Sequence, residues 1–426
     1  MDDSIPQLEV YHLISPRWTW VLVIVVLASL ILHQAVIFFG GLVLLLALAL
    51  AWVWSRYCLD GLEYRRSFSR PAVPFGEEVT LTVEIVNRKP LPLAWLDIAD
   101  EVPEAVQLVH GSFRASWKPR RRTLPNLLAL RWYERVTRRY RLTCVERGEH
   151  VFGPVELRSG DLFGLATRRL TLPQRQTLLV YPKVVPIAAL GLPSRFPLGE
   201  ARSLHRLWSD PLRVAGIRPY VQGDSVRQVH WKATARTGAL QVKTYDPSAT
   251  LRAMLFLNVD TMPVAWYGIR VDLLELAICA AASVAAHLLD ARYQVGVVAN
   301  GSLPRTVARA RVPPSRAPQQ LAAVLTMLAR LSALASVPFA DLLRVERHKV
   351  PAGATVVIIT GLLTEGILDE ACAYRAAGHS VSLLLVGNDL QGAQVPGLDV
   401  HWIGDEDHWR ELRSLRLSGP ARGEVA

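Results

Sequence analysis

With 426 residues, 51% of them apolar and 20% charged, the chain has material for two to three folded domains, which excludes disorder as its dominant state. Its four cysteines (Cys58, Cys144, Cys279, Cys372) lie far apart without a C-x-x-C pair; this speaks against a disulfide framework or structural zinc and for a reducing compartment. The net charge of +11 is concentrated: residues 1–55 carry one Lys/Arg against three Asp/Glu, residues 56–250 carry 31 against 18, and residues 251–426 carry 16 of each.

Residues 18–55 hold no Asp, Glu, Lys or Arg, a run about twice the ~20 residues that one bilayer crossing needs. The predicted organisation is an N-terminal cytoplasmic tail over 1–17 and a transmembrane helical hairpin over 18–55. Its turn is expected near His33, Gln34 or slightly later, with Gly40-Gly41 as a competing site. A cleaved signal peptide would need an early basic region and a shorter apolar core, whereas Asp2, Asp3 and Glu9 open this chain. Arg56, Arg65, Arg66 and Arg70 follow the second arm and only Arg17 precedes the first. The positive-inside rule then places everything after the hairpin in the cytoplasm, anchored to the cell membrane by two spans.

Residues 56–185 read as a β-rich, sandwich-like domain. Residues 78–86 alternate Val79, Leu81, Val83 and Ile85 with Thr80, Thr82 and Glu84, the period of a half-buried strand. Further short strands are predicted over 94–98, 106–109, 136–143 and 151–157, punctuated by Pro and Gly. Residues 114–141 contain ten basic residues and a single acid, Glu134, interleaved with Trp117, Trp132, Tyr133 and Tyr140. Three readings stay open there: a solvated arginine-rich face with its aromatics in the core, a contact with anionic membrane lipid, and phosphate-plus-stacking contact with nucleic acid. No recognised nucleic-acid module accompanies the patch, so nucleic acid is the least expected partner.

Residues 186–250 form a linker and signature segment. Within it Gly223-Asp224 signals a turn, and Asp224 among Arg218, Arg227 and Arg236 suggests ion pairing. Two passages, RGEHVFGPVELRSGDLFGL from Arg147 and RPYVQGDSVRQVHWKATARTGALQVKTYDP from Arg218, make the chain resemble the domain of unknown function 58 family. The resemblance rests on Arg218, Tyr220, Gly223, Asp224, Arg227, His230, Trp231 and Arg236. It implies a prokaryotic membrane-anchored protein, often encoded beside MoxR-type AAA+ ATPases, with no well-established enzymatic activity. The cluster can serve as a docking or anion-binding surface, or simply brace the linker against the next domain.

From residue 251 strands and helices alternate. Continuous apolar strands over 253–259, 294–299, 354–360 and 380–386, with helices around 271–291, 318–334 and 364–377, predict a mostly parallel sheet covered on both faces. The resemblance implies a von Willebrand factor type A-like fold over 251–426. That fold commonly carries a divalent metal in an Asp-x-Ser-x-Ser loop after the first strand. Here the loop is Asp260-Thr261-Met262-Pro263-Val264. Met262 and Val264 offer no hard oxygen, so no metal and no cofactor are expected. Phosphate-loop, H-E-x-x-H and G-x-S-x-G patterns are absent from the sequence, and the acidic, His-bearing cluster of His401 and residues 405–408 reads as a surface helix start.

The expected function is a non-enzymatic adaptor in protein-complex assembly or maturation, with a MoxR-type ATPase docked at a rim of Asp260, Trp266, Tyr267 and Leu362. The rival is a hydrolase or anion-binding enzyme using Asp224, His230 and Arg236, groups that would have to lie within hydrogen-bond reach of one another.

Overall fold

The computed structural model describes the chain apart from residues 1–6, 13–15, 162–165, 189–213, 222–228, 246–250, 264–267, 305–308, 393–394, 405 and 417–426. It divides into two compact units, Met1–Lys183 and Val184–Ala426.

In the first unit, strand β1 (Gln7–His12) precedes two apolar helices, α1 (Pro16–Ile31) and α2 (Ala35–Tyr57). The turn between them is made by Leu32, His33 and Gln34, with His33 at a φ of 51°. Gly40 and Gly41 lie inside α2, not at a turn. A side chain on Gly41 would bring its Cβ within 2.5 Å of Val26 of α1, so the glycine is where the helices approach closely. At 1.5 Å per residue α2 spans roughly 35 Å, enough for a hydrocarbon core, and α1 roughly 24 Å. Ile24, Ile31, Val36, Phe39, Val43 and Leu46 are exposed along the pair.

The strands that follow are β2 (Leu62–Phe68), β3 (Ala72–Val73), β4 (Glu78–Asn87), β5 (Leu93–Pro103), β6 (Val106–Leu108), β7 (Arg114–Ala115) and β8 (Arg121–Leu130). After them come β9 (Arg135–Cys144), β10 (Gly148–Phe152), β11 (Val155–Gly160), β12 (Ala166–Leu172) and β13 (Gln176–Val180). They build a six-stranded sheet β1-β12-β11-β5-β8-β7, a four-stranded sheet β2-β4-β9-β6 and a three-stranded sheet β10-β13-β3. Alternate residues of β4 (Val79, Leu81, Val83, Ile85) and Leu96, Ile98, Leu124 and Leu157 fill one core between them. The strand expected over 151–157 is two strands, β10 and β11, separated at Gly153-Pro154, where Gly153 has a φ of 89° and a Cβ would strike the Gln174 carbonyl. Strand β1, within the expected tail, pairs antiparallel with β12, Gln7 opposite Thr171.

Arg66, counted by sequence among the flanking cations, is buried. Its guanidinium donates to Asp100 Oδ1 and, at 3.0 Å, to the Phe152 carbonyl, and it lies 5.8 Å from the Phe152 ring centroid. Tyr64 donates to the other Asp100 oxygen at 2.8 Å.

The second unit holds β14 (Ile187–Ala188), β15 (Val214–Pro219), β16 (Gln241–Tyr245), β17 (Arg252–Leu257), β18 (Gln294–Ala299), β19 (Ala310–Ser315), β20 (Thr355–Thr360), β21 (Ser380–Val386), β22 (Asp399–Ile403) and β23 (Leu415–Arg416). Its main sheet runs β19-β18-β17-β20-β21-β22, parallel throughout except for β19. The inner strands are buried along almost their whole length, which is why they read as unbroken apolar runs. Helix Val271–Asp290 is long and apolar enough to cross a membrane, yet most of it is buried in this unit's core. The other helices are Gln320–Arg330, Phe339–Arg347 and Glu365–Ala376.

Three histidines are kept neutral by burial: His150 in the first unit, His379 and His401 in the second. Desolvation lowers each pKa, against the opposing pull of the Glu146 carbonyl, the Ala354 carbonyl and the Asp399 charge respectively. In the unfolded chain all three titrate near 6.5. Below that pH the unfolded state binds protons that the folded state refuses, so stability is full above about pH 6.5 and falls as the pH drops toward the folded values. Urea unfolding of the detergent-solubilised chain should therefore give a lower midpoint at pH 5.5 than at pH 7.5, and a combined His379→Leu, His401→Leu variant should flatten the dependence of the second unit. A midpoint that does not move with pH would refute this account.

Candidate functional site at the carboxyl edge of the parallel sheet

In an open parallel sheet the chain leaves the central strand toward one side and later returns on the other, and the crevice between the diverging loops is the usual ligand site. Here that strand is β17, flanked by β18 and β20. Its carboxyl end leads into Asn258, Val259 and Asp260. The neighbouring ends contribute Asn300 after β18, and Thr360 to Leu362 from β20 onward.

These residues bond chiefly to one another. Asn300 accepts from the Val259 amide at 2.8 Å and donates to Asn258 Oδ1 at 3.1 Å and Asp260 Oδ2 at 2.8 Å. Asn258 donates to Thr360 Oγ1 at 3.1 Å and accepts from the Asp260 amide at 3.0 Å. Thr360 Oγ1 in turn donates to the Leu362 carbonyl at 2.6 Å and accepts from the Leu362 amide at 3.0 Å. Asn258, Asn300 and Thr360 are fully buried, and Asp260 is half-exposed. Burial raises the Asp260 pKa, and the hydrogen bond from Asn300 partly opposes it. Alongside, the Arg270 amide donates to Thr261 Oγ1 at 3.0 Å, and its guanidinium bridges Asp389 and the buried Glu406.

A divalent ion, which the type A-like resemblance implies here, does not fit these residues. Asp260 is the lone carboxylate of the cluster. The oxygens of Asn258 and Thr360 are already committed, and Met262 offers a soft thioether where Mg²⁺ needs hard oxygen. Among the described residues no three His, Cys, Asp or Glu side chains converge as ligands. Val264 lies outside the described residues, as do Trp266 and Tyr267 of the expected rim; Asp260 and Leu362 stand at the carboxyl edge. Asn258, Asn300 and Thr360 were missed by sequence reasoning, although a single polar residue closing an apolar strand was a usable signal.

The signature segment folds as a hairpin, β15 against β16, with helix Trp231–Thr237 between the strands. Arg218 lies on β15, opposite Val242, and the Tyr220 amide donates to the Leu240 carbonyl at 2.9 Å. His230 caps the helix: its Nδ1 accepts from the Ala233 amide at 3.1 Å. In the neutral ring that leaves the proton on Nε2, with no lone pair there for a general base. Arg236 is exposed in the last turn, where its charge suits the helix dipole. Six residues of helix rotate it about 120° away from the His230 position, so the two do not share a face. Trp231 is exposed. Gly223, Asp224 and Arg227 lie outside the described residues. Of the acidic cluster near the end, His401 is buried in β22, residues 406–408 form a 3-10 turn, and Asp405 is outside the described residues.

Residues 216–400 match the family described as "Protein of unknown function DUF58". Over 387 residues the chain is 26% identical to the uncharacterized protein YeaD of Bacillus subtilis (strain 168), covering 87% of this chain and 90% of that protein. Among solved structures, a β-glucosidase from Listeria innocua aligns at a TM-score of 0.18 and 17% identity, over 28% of this chain and 16% of the glucosidase. The Pseudomonas fluorescens alkylpurine DNA glycosylase AlkC, bound to DNA containing an abasic site analog, aligns at 0.20 and 12%, over 39% and 43%. Superpositions this partial carry no argument about fold or activity.

Proposed function

We propose that this chain is a membrane-tethered adaptor of the DUF58 family. In this reading the α1–α2 hairpin holds it in the bilayer with its soluble units cytoplasmic. Its α/β unit, von Willebrand factor type A-like, docks a MoxR-type AAA+ ATPase during protein-complex assembly or maturation. The hairpin carries the reading: a pair of helices with no charged residue between Trp18 and Ser55, whose apolar side chains are left uncovered by the rest of the unit, suits lipid, not water. The pairing of β1 with β12 supports an out-and-back path, because strands before and after the hairpin share one sheet. Exposed Arg56 at the end of α2, with Arg65 and Arg70 beyond it, supports the cytoplasmic side. The strand order with one antiparallel edge strand supports the type A-like assignment. At its carboxyl edge the polar groups are tied to each other, which suits a docking rim better than a reaction centre.

Vesicles carrying the full chain provide the test. A purified, nucleotide-free MoxR-type ATPase is expected to co-sediment with inverted vesicles and not with right-side-out ones, equally with and without EDTA. Leu362→Asp should weaken the association about tenfold, the scale of an interface anchor. Loss of binding on chelation would overturn the metal-free docking. Binding to right-side-out vesicles would reverse the orientation, and binding to neither would remove the ATPase from the reading.

A further inference from the structure

The exposed aromatics of the basic stretch 114–141 fall into two patches, not one: Trp117 in one, Trp132 and Tyr133 in the other. Strand β8 runs between them: Arg121 at one end pairs with Pro103 and Leu130 at the other pairs with Leu93. Ten residues of strand separate the two ends by roughly 30 Å.

The end beyond Leu130 is laced to the exit of α2. Lys89 donates its ammonium hydrogens to the Cys58 carbonyl and, at 2.6 Å, to the Asp60 carbonyl, closing off the last turn of the helix. The Lys89 carbonyl accepts from the Tyr133 amide at 3.3 Å. Asn87 holds the same turn from beneath, donating to the Arg131 carbonyl at 2.8 Å while its amide donates to the Glu134 carbonyl at 2.9 Å. Residues 131–134 are thus tied through Lys89 to the segment that directly follows Tyr57, the last residue of α2. On this rim Trp132 is 66% exposed, Tyr133 67% and Tyr57 54%. The Arg56 and Arg131 guanidiniums make no ion pair among the described residues. At the opposite end, Lys118 pairs with Glu101 and Arg122 with Glu104, and the exposed Trp117 stands beside Lys118.

We infer that the rim formed by Arg56, Tyr57, Arg131, Trp132 and Tyr133 is a lipid-headgroup contact selective for anionic phospholipid, and that the Trp117 patch is not. This rests on reading α2 as a membrane span. Tryptophan and tyrosine favour the membrane–water boundary, where an apolar ring and a polar tip are both satisfied. The Arg56 and Arg131 guanidiniums, without an ion pair among the described residues, supply attraction for anionic headgroups, while the nearby Glu134 carboxylate is engaged by the Arg131 backbone amide at 2.6 Å. Their position, continuous with the end of α2, places them at the level where such headgroups lie.

Cys372 is exposed and the other three cysteines are buried, so a Cys372→Ser background allows site-directed labelling. The full chain carrying Trp132→Cys, Trp117→Cys or Leu44→Cys, each with a fluorophore attached, is reconstituted into vesicles of phosphatidylcholine with or without phosphatidylglycerol. The label at 44 should be quenched by a nitroxide deep in the acyl chains. The label at 132 should be quenched by a headgroup-level nitroxide, about twofold more with phosphatidylglycerol present, and Arg56→Gln with Arg131→Gln should erase that increment. The label at 117 should respond only to aqueous iodide. If 132 behaves like 117 while 44 is quenched from the lipid, the headgroup contact is wrong and the span stands. Iodide quenching at 44 would overturn the span, and the contact with it.

Discussion

Asp100→Ala is expected to destabilise the first unit by about 3–5 kcal/mol, the cost of leaving a buried guanidinium without its carboxylate. The two side chains are almost wholly withdrawn from water, at 3% and 0% exposure for Arg66 and Asp100. The buried Tyr64 hydroxyl also loses its acceptor, and the Arg66 bonds to the Phe152 and Gln174 carbonyls are left to hold an uncompensated charge. Arg65 is the control. Its pair with Glu63 is mostly solvated, at 66% and 34% exposure, so Arg65→Ala should cost well under about 1 kcal/mol. A double variant, Arg66→Met with Asp100→Leu, should recover much of the loss, because the desolvation penalty goes with the charges. Denaturant unfolding followed by far-UV circular dichroism separates these cases. A cost for Asp100→Ala no larger than that of Arg65→Ala would show that the buried pair contributes nothing.

Asn300→Ala should cost the second unit about 2–4 kcal/mol, since it removes an acceptor from the buried Val259 amide and donors from Asn258 and Asp260. Asn300→Asp is the sharper test. It keeps the shape but sets a second carboxylate against Asp260, and two such groups cannot both ionise at little cost. Their shared proton would be bound more tightly in the folded state than in the unfolded one, so this variant should gain stability as pH falls from 7 toward 5. That is the opposite of the trend expected from the buried histidines of the parent chain. A variant that simply follows the parent trend would mean that Asp260 and residue 300 are not in contact.

The parallel sheet was legible because strands buried on both faces have no alternative to continuous apolar sequence, as β17, β20 and β21 show. Strand β4 was legible for the opposite reason, one wet face and one dry. Strand β19 escaped notice because Pro313 and Pro314 interrupt it; an edge strand tolerates them where a central one would not. Strand β8 was obscured by its arginines and Pro125, and the three exposed aromatics of that region were not the core residues one reading made them. Arg66 counted as a surface cation because nothing local marks burial; its partner is 34 residues away. At the candidate site Asp260 was found from its loop, whereas Asn258, Asn300 and Thr360 acquire meaning only once β17, β18 and β20 lie side by side.

Strand β1 has a consequence for biosynthesis. It leaves the ribosome before the helical hairpin, and its partner β12 follows about 160 residues later, roughly ten to thirty seconds at ordinary translation rates. Until then the β12 side of the growing sheet has nothing to pair with. If the hairpin inserts out and back, β1 is waiting on the correct side and the edge closes. If only one helix crosses, β1 is stranded beyond the bilayer and the sheet is released with an open edge, a template for aggregation. Completion of one short strand would thus sort correctly inserted nascent chains from misinserted ones, which a quality-control protease could recognise by their unpaired edge.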